Sequence, residues 1–527
     1  MKVLVTDRLG EPGLEQLRNA SDLQLEIATG LPEDELCKTI ADADALIIRS
    51  GTTVTRRLLE AAGQLKVIGR AGIGVDNVDV PAATERGVVV MNTPDANATT
   101  TAELAIAHLF SLCRRLPQAD ASVRAGKWER SAFVGAELTG KTLGIVGFGT
   151  IGRIVARRAR GLRMIVLASD PVVTEDVVRQ EGAEPLPLDE LLKRCDILTL
   201  HCPLIESTRG LIGADQIASM KKGARIVNCA RGGLIDEAAL LAALDSGQLA
   251  GAALDVYENE PPEGSPLLSR DDIVFTPHVG ASTKEAQAAV AEAIASQVID
   301  FLQQGEIRHA VNLPSMPAEL AAKLEPWLGL AGSLGRLLSQ IAPGPLEAIE
   351  LATHGTAAEL DLRTLTSETL AGLLQSHFDT PVNRVNSTHL AKERGLSVTQ
   401  VRSDDASDHV GLMRVTGRTA DGATTTLSGA LLGGRHPRLV EVDGYRLEAT
   451  PEGHLLMTRH QDKPGVIGAL GSLLGESGIN ISRMSLGVRD EGGDALALLS
   501  ISDAMSAETL DRVRGIEAIE QAWSLKP

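Results

Sequence analysis

Three short stretches of this sequence carry side chains suited to moving a hydride and a proton. Positions 227–236 read VNCARGGLID, with Arg231 just past an apolar run. Positions 254–262 read LDVYENEPP, with Asp255 and Glu260, and 273–282 read IVFTPHVGAS, with His278 just past another apolar run. Oxidation of a 2-hydroxy acid needs a base for the hydroxyl proton, and histidine titrates in the right range. A carboxylate on the far ring nitrogen, the part offered by Glu260, fixes the tautomer and stabilises the imidazolium. The guanidinium of Arg231 suits a substrate carboxylate and polarises a carbonyl in the reverse direction. Gly232 and Gly233 are expected to leave room beside it. Taken singly, the same residues serve as a surface arginine, a solvated acidic loop and a loop-capping histidine; together, at the ends of strands, they point to chemistry.

A hydride also needs an acceptor. The run LGIV at 143–146 leads into GFGTIG, with Gly147, Gly149 and Gly152 in G-x-G-x-x-G spacing before an amphipathic helix. The first glycine makes the tight turn, the second lets the backbone approach a pyrophosphate, and the third lets helix pack on strand. The helix N-terminus offers its unpaired N–H groups to the anion. The next strand, MIVLASD, ends in Asp170, placed to accept the ribose hydroxyls. The alternative for Asp170 is a turn or capping aspartate before Pro171. An acid there repels a 2′-phosphate, so NAD is expected over NADP.

These side chains need a scaffold. KVLVT, LQLEIA, ALIIRS, LKVIGRAG and GVVVMN read as buried strands separated by helical segments such as PGLEQLRNA and RRLLEAAG. That alternation predicts a parallel sheet covered on both faces, with ligands beyond the carboxyl ends of its strands. TAELAIAHLFSLCRRLPQ at 101–118 predicts a longer helix closed by Pro117, and a second α/β unit restarts at 142. An Ala-rich helix follows PHVGAS and ends at Gly305. Past VNLP at 311–314 the periodicity weakens, which sets off a separate domain to about 450. Residues 455–527 read as βαββαβ, a ferredoxin-like order.

At 527 residues the chain exceeds one core, and 69 acidic against 51 basic side chains give a net charge of −18. That balance argues against non-specific binding to nucleic acid or anionic membranes. The five cysteines (Cys37, Cys113, Cys195, Cys202, Cys229) never stand as C-x-x-C, so neither a disulfide framework nor a zinc site is expected. The opening MKVLVTD is strand-like, without the features of a signal peptide, and no apolar run is long enough to span a bilayer. A cytoplasmic protein is expected.

GFGTIG with Asp170, NCARGGLID, LDVYENEPP and TPHVGAS resemble the D-isomer-specific 2-hydroxyacid dehydrogenases. RSGTTVT, IGRAGIGVDNVD, NTPDANATTTAEL and the carboxyl-terminal extension resemble the long members of that family, which act on a phosphorylated substrate. The resemblance implies Arg231, Glu260 and His278 as the catalytic set, with His278 as proton acceptor and Glu260 its partner. It implies NAD contacts at Ile73, Gly147, Gly149, Thr150, Ile151, Gly152, Asp170, Cys202, Cys229, Ala230, Arg231, Asp255, His278, Val279, Gly280 and Ala281. It implies a Rossmann domain (98–282) inserted in a flavodoxin-like substrate domain (1–97 with 283–310). An α+β intervening domain (311–450) and an ACT regulatory domain (455–527) would follow. A homodimer or homotetramer is expected.

For the substrate that the resemblance implies, 3-phosphoglycerate, the candidates are Arg49, Arg70, Arg231 and His278, with the backbone at Gly72 and Gly74 as an anion cradle. The alternative for Arg49 and Arg70 is a pair of surface salt bridges. In the ACT segment, the resemblance implies L-serine as effector, with His460, Asp462 and Asn480 as the candidate contacts. Arg435, His436, Arg438 and Arg446 form a basic stretch that serves as an anion site or as a solvated turn. Rival readings are a dehydrogenase for another D-2-hydroxy acid and a dinucleotide-sensing corepressor or scaffold.

Overall fold

The structure is a computed structural model and describes residues 1–94, 96–313, 318–378, 381–403, 409–488 and 493–527. Asp95 in the NTPDANATTTAEL stretch and Pro314 of the linker lie outside the described residues.

Five parallel strands form the first sheet: β1 (Lys2–Val5), β2 (Gln24–Ile27), β3 (Ala45–Ile48), β4 (Val67–Arg70) and β5 (Val89–Met91), in the order β2-β1-β3-β4-β5. The inner strands are continuous apolar runs because both faces are covered. On one face Leu14 and Leu17 of helix Glu11–Asn19 meet Val290, Ile294 and Val298 of helix Lys284–Gln304. This second helix returns from beyond the next domain. Small residues let it sit close: a Cβ on Gly13 would run into the Ala291 backbone, and one on Gly69 would lie 2.9 Å from Ile294. The strand β2 departs from expectation. It is an edge strand and only partly buried, so its alternating pattern marks a border and not a core position.

Seven parallel strands make the second sheet: β6 (Thr142–Val146), β7 (Ile165–Ser169), β8 (Glu184–Pro185), β9 (Ile197–Leu200), β10 (Ala224–Asn228), β11 (Leu249–Leu254) and β12 (Ile273–Phe275). Their order, β12-β11-β10-β9-β6-β7-β8, reverses direction between β6 and β9, and ligands bind at such a switch point. Helix Ala98–Arg114 packs across β10, β11 and β12. Pro117 does not close that helix. The chain turns at Arg115 in the left-handed region (φ 51°), and Pro117 sits in the first turn of the next helix, Leu116–Arg124, where its missing N–H costs nothing.

A mixed six-stranded sheet follows: β13 (Leu346–Gly355), β14 (Ser397–Ser403), β15 (Gly411–Thr419), β16 (Thr424–Leu432), β17 (His436–Val442) and β18 (Tyr445–Ala449), ordered β14-β13-β15-β16-β17-β18. Helices Ala318–Ile341 and Leu362–Leu374 share its core. This unit docks on the first sheet: Asn383 Nδ2 donates to the Gly87 carbonyl at 2.8 Å, and Val385 enters the core beside helix Lys284–Gln304.

The last sheet is antiparallel: β19 (His454–Gln461), β20 (Ile481–Val488), β21 (Asp494–Ile501) and β22 (Ile519–Leu525), ordered β20-β21-β19-β22 with helices Val466–Glu476 and Ala507–Arg514. This is the βαββαβ order read from the sequence. Its edge strand β20 abuts β18; a Cβ on Gly487 would lie 2.6 Å from the Arg446 carbonyl oxygen. No helix among the described residues is long and apolar enough to cross a membrane.

Candidate active site

The glycine turn separates its three tasks cleanly. Gly147 has φ 90°, and a Cβ there would lie 2.6 Å from the His201 carbonyl, so the turn must approach the exit of β9. A Cβ on Gly152 would collide with the Gly147 carbonyl oxygen. Gly149 faces open space, with nothing within 4 Å of its would-be Cβ, at the mouth of helix Thr150–Gly161. An open glycine at a helix N-terminus fits a dinucleotide pyrophosphate. Asp170 follows β7. Its Oδ2 accepts the Phe148 N–H at 2.7 Å, and its Oδ1 accepts those of Val172 (2.8 Å) and Val173 (2.9 Å). Burial raises its pKa, but the three N–H donors outweigh burial and hold it below the ordinary aspartate value. Asp170 is thus a charged acid that also braces its own turn.

The sequence folds the acid–base pair around one buried carboxylate. Asp255, fully buried at the exit of β11, accepts from Thr276 Oγ1 (2.6 Å) and Val279 N (2.8 Å) on Oδ1, and from Gly280 N (2.9 Å) on Oδ2. Its main-chain carbonyl accepts the His278 N–H at 2.9 Å. These bonds hold His278 at φ 52°, a left-handed conformation that a histidine adopts only under constraint. The ring Nδ1 of His278 then lies 2.7 Å from Glu260 Oε2, while Glu260 Oε1 accepts the Tyr257 N–H at 3.1 Å. The Glu260 hydrogen bond raises the His278 pKa against the opposing effect of burial. Burial raises Glu260, but the His278 bond and the His278 charge more than reverse it, so the carboxylate sits below its ordinary value.

Two glycines across from this pair make room for two arginines. A Cβ on Gly72 would collide with the Arg70 guanidinium, and one on Gly74 with that of Arg231. The guanidinium groups thus lie against the same Gly72–Gly74 backbone that was expected to cradle an anion. Arg231 Nε also bonds Asp76 Oδ2 at 2.8 Å, and its Nη1 bonds the Ala230 carbonyl at 2.7 Å. Burial first, then the neighbouring charges of Arg231 and Arg49, depress Arg70 to about 10, and its buried Nε has no partner. Arg49 stands on the loop after β3, whose backbone N–H groups at Arg49 and Thr52 are held by Asp7 Oδ2 at 2.6 and 3.1 Å.

Gly232 is not open space, whereas Gly233 takes φ 77° with no atom closer than 3.5 Å to its would-be Cβ. A Cβ on Gly232 would collide with the Tyr257 carbonyl, so this glycine serves the close approach of the loop that carries Glu260. Ile73 is fixed through its carbonyl by Asn92 Nδ2. Cys202, half-buried, is pushed up to about 11 by burial, and Cys229, buried, is likewise pushed up, so both stay thiols at neutral pH. Sequence reasoning missed Asp76, Thr101 and His108, which bond the arginine or the histidine loop from afar in the chain, and Thr276 within that loop, which bonds Asp255.

In the last sheet His460 is buried within β19, whereas Asp462 and Asn480 are exposed. Of the basic stretch, Arg438 lies 3.5 Å from Glu448, and Arg435 and His436 are exposed. Among the described residues no group of three or more His, Cys, Asp or Glu could hold a metal ion. Two small cavities, of about 220 and 180 Å³, lie at the amino ends of β9–β12 around Cys113 and Arg225, at the opposite end of the strands from His278.

A dinucleotide turn, a carboxylate-bound histidine and a convergent arginine define a nicotinamide-dependent dehydrogenase of D-2-hydroxy acids. Residues 106–280 match the NAD binding domain of the D-isomer specific 2-hydroxyacid dehydrogenases, 323–443 the D-3-phosphoglycerate dehydrogenase intervening domain, and 454–518 the ACT domain. The chain is 42% identical over 522 residues to the D-3-phosphoglycerate dehydrogenase of Methanocaldococcus jannaschii, covering 99% of this chain and 98% of that one. It is 42% identical to the Bacillus subtilis enzyme of that name (95% and 94% covered) and 40% identical to the human one (91% of each). The chain belongs to the D-3-phosphoglycerate dehydrogenase family. Among solved structures, the D-lactate dehydrogenase of Aquifex aeolicus, complexed with NAD and lactic acid, matches at TM-score 0.53 and 29% identity. It covers 59% of this chain and 100% of its own.

Proposed function

We propose that this chain oxidises 3-phospho-D-glycerate to 3-phosphohydroxypyruvate with NAD, the first step toward L-serine. The observation that carries the reading is the His278–Glu260 pair facing the charge field of Arg231, Arg70 and Arg49. Residues 98–282 serve as the NAD-binding domain, and 1–97 with 283–310 serve as the substrate domain. The 311–450 unit links them to the ACT domain at 455–527, which takes a small-molecule effector, L-serine. The enzyme works as a homo-oligomer in the cytoplasm.

The chemistry follows from the donors. A carboxylate only accepts hydrogen bonds, so the neutral His278 ring carries its proton on Nδ1, toward Glu260, and leaves Nε2 bare. Nε2 takes the C2 hydroxyl proton of the substrate, and Glu260 stabilises the resulting imidazolium. NAD, when bound, supplies the hydride acceptor for C2. Gly149 and the N-terminus of helix Thr150–Gly161 hold the pyrophosphate, and Asp170 takes the ribose hydroxyls. Arg231 holds the substrate carboxylate, and Arg70 and Arg49 supply charge for the phosphate. A panel of 2-hydroxy acids followed by NADH absorbance tests this reading. Strong preference for 3-phosphoglycerate over glycerate supports it, and equal use of both overturns the phosphate assignment.

A further inference from the structure

The bonds to Asp255 extend one residue further than the reaction scheme requires. His108, on helix Ala98–Arg114, is 2% exposed, and its Nε2 lies 3.0 Å from Thr276 Oγ1. Thr276 Oγ1 in turn lies 2.6 Å from Asp255 Oδ1. Proton counting fixes the direction of this chain. Asp255 can only accept, so the single Thr276 hydroxyl proton goes to the carboxylate. The hydroxyl then offers only lone pairs to the imidazole, and His108 must hold its proton on Nε2. Burial lowers the His108 pKa, which keeps the ring neutral in this one tautomer.

The same helix face grips the loop a second time. Thr101 stands seven residues, two helical turns, before His108, and its hydroxyl donates to the Gly280 carbonyl at 3.1 Å. Thr276 is also held through its carbonyl, which accepts the Tyr257 phenol proton at 2.8 Å. His108 and Thr101 therefore pin the two ends of segment 276–280, with His278 between them.

We infer that His108 is a positioning residue for the acid–base loop: through Thr276 it fixes the Asp255 carboxylate that holds Val279 and Gly280 and so aims His278. This rests on the functional reading above only in assigning His278 and its loop to catalysis and NAD binding. Removing the donor takes away the N–H that holds the Thr276 hydroxyl in place against Asp255, so the bond from Thr276 to the carboxylate is held less rigidly.

The test uses the full-length chain. His108→Leu keeps much of the volume and deletes the donor; His108→Gln restores an N–H at similar reach. We expect His108→Leu to lower kcat/KM about ten-fold and to weaken NADH binding, with His108→Gln within about two-fold of wild type. Because His108 acts through Thr276, the double variant His108→Leu/Thr276→Val should be no worse than Thr276→Val alone. Should His108→Leu fail to fold, His108→Gln against the shorter His108→Asn carries the same contrast. Wild-type kinetics with only a lowered Tm, or additive losses in the double variant, overturn the inference. If wild type does not oxidise 3-phosphoglycerate, the functional reading falls by itself, and NADH titration of the same variants still decides the role of His108.

Discussion

Glu260 Oε2 lies 2.7 Å from His278 Nδ1, and this one contact sets the pH range in which the histidine can act. The carboxylate raises the ring's pKa. Oxidation needs the ring neutral, so the acid limb of kcat/KM should lie above the ordinary histidine value of about 6.5. Glu260→Gln keeps the shape and removes the charge; the ring's pKa falls, and the acid limb should move to lower pH. His278→Ala should leave NAD binding nearly intact while turnover falls by roughly 10²–10⁴-fold. A pH profile of Glu260→Gln that superimposes on wild type would separate the glutamate from the chemistry.

How much of this was legible beforehand differs by residue. His278, Glu260 and Arg231 could be singled out because each lies just past a buried strand, and strand ends are readable from apolar runs. The glycine turn was legible because G-x-G-x-x-G is local. The Thr276–His108 contact was not, because the two meet across 168 positions: Thr276 opens the TPHVGAS stretch, but nothing in that stretch shows its partner. Asp76, inside IGRAGIGVDNVD, likewise meets Arg231 across 155 positions, which the local pattern does not show. Gly232 is expected from the sequence to leave room beside Arg231, whereas it admits the Tyr257 backbone; a sequence shows that a glycine is there but not what approaches it. Pro117 was read as a helix stop, yet proline is equally at home in a first turn, and only the left-handed Arg115 decides between them.

Cofactor choice should follow Asp170. The acid is ionised and held by three backbone N–H groups, so it stays in place as a negative charge beside the ribose. NAD should therefore be preferred clearly over NADP. Asp170→Ser should narrow that preference by removing the repulsion, although losing the turn's bracing should also lower Tm. Catalytic efficiencies with both dinucleotides measure it, and an NADP-preferring wild type would refute the assignment.

Substrate charge should be read by the half-buried Arg70. Arg70 has an unpartnered Nε and a pKa depressed to about 10 by burial and by two neighbouring arginines, so an arriving anion relieves a repulsion already present. Arg70→Ala and Arg49→Ala should each weaken 3-phosphoglycerate more than glycerate, by about 1.5–3 kcal/mol for a lost charge-assisted contact. Steady-state KM and kcat for both substrates decide it; equal losses would assign these arginines to structure.

Regulation should run through Asn480. It is exposed at the entry to β20, where its carbonyl accepts the Ser502 N–H at 3.0 Å and its own N–H donates to Ser502 Oγ at 3.1 Å, so its backbone is fixed while its side chain faces solvent. Asp462 is exposed on the turn before helix Val466–Glu476, at the opposite end of the sheet from Asn480, so an amino acid would find the acid of one chain for its amino group and the amide of a second for its carboxylate only where two such domains pair. His460, buried in β19 two residues before Asp462, does not face solvent. A ligand there slows the distant site only by binding the inactive arrangement more tightly, since equal affinity for both arrangements shifts nothing. Asn480→Ala should accordingly keep uninhibited turnover while raising the L-serine needed for half-inhibition. Calorimetry and inhibition curves on wild type provide the control: no heat and no inhibition at millimolar L-serine would leave this sheet a purely structural module.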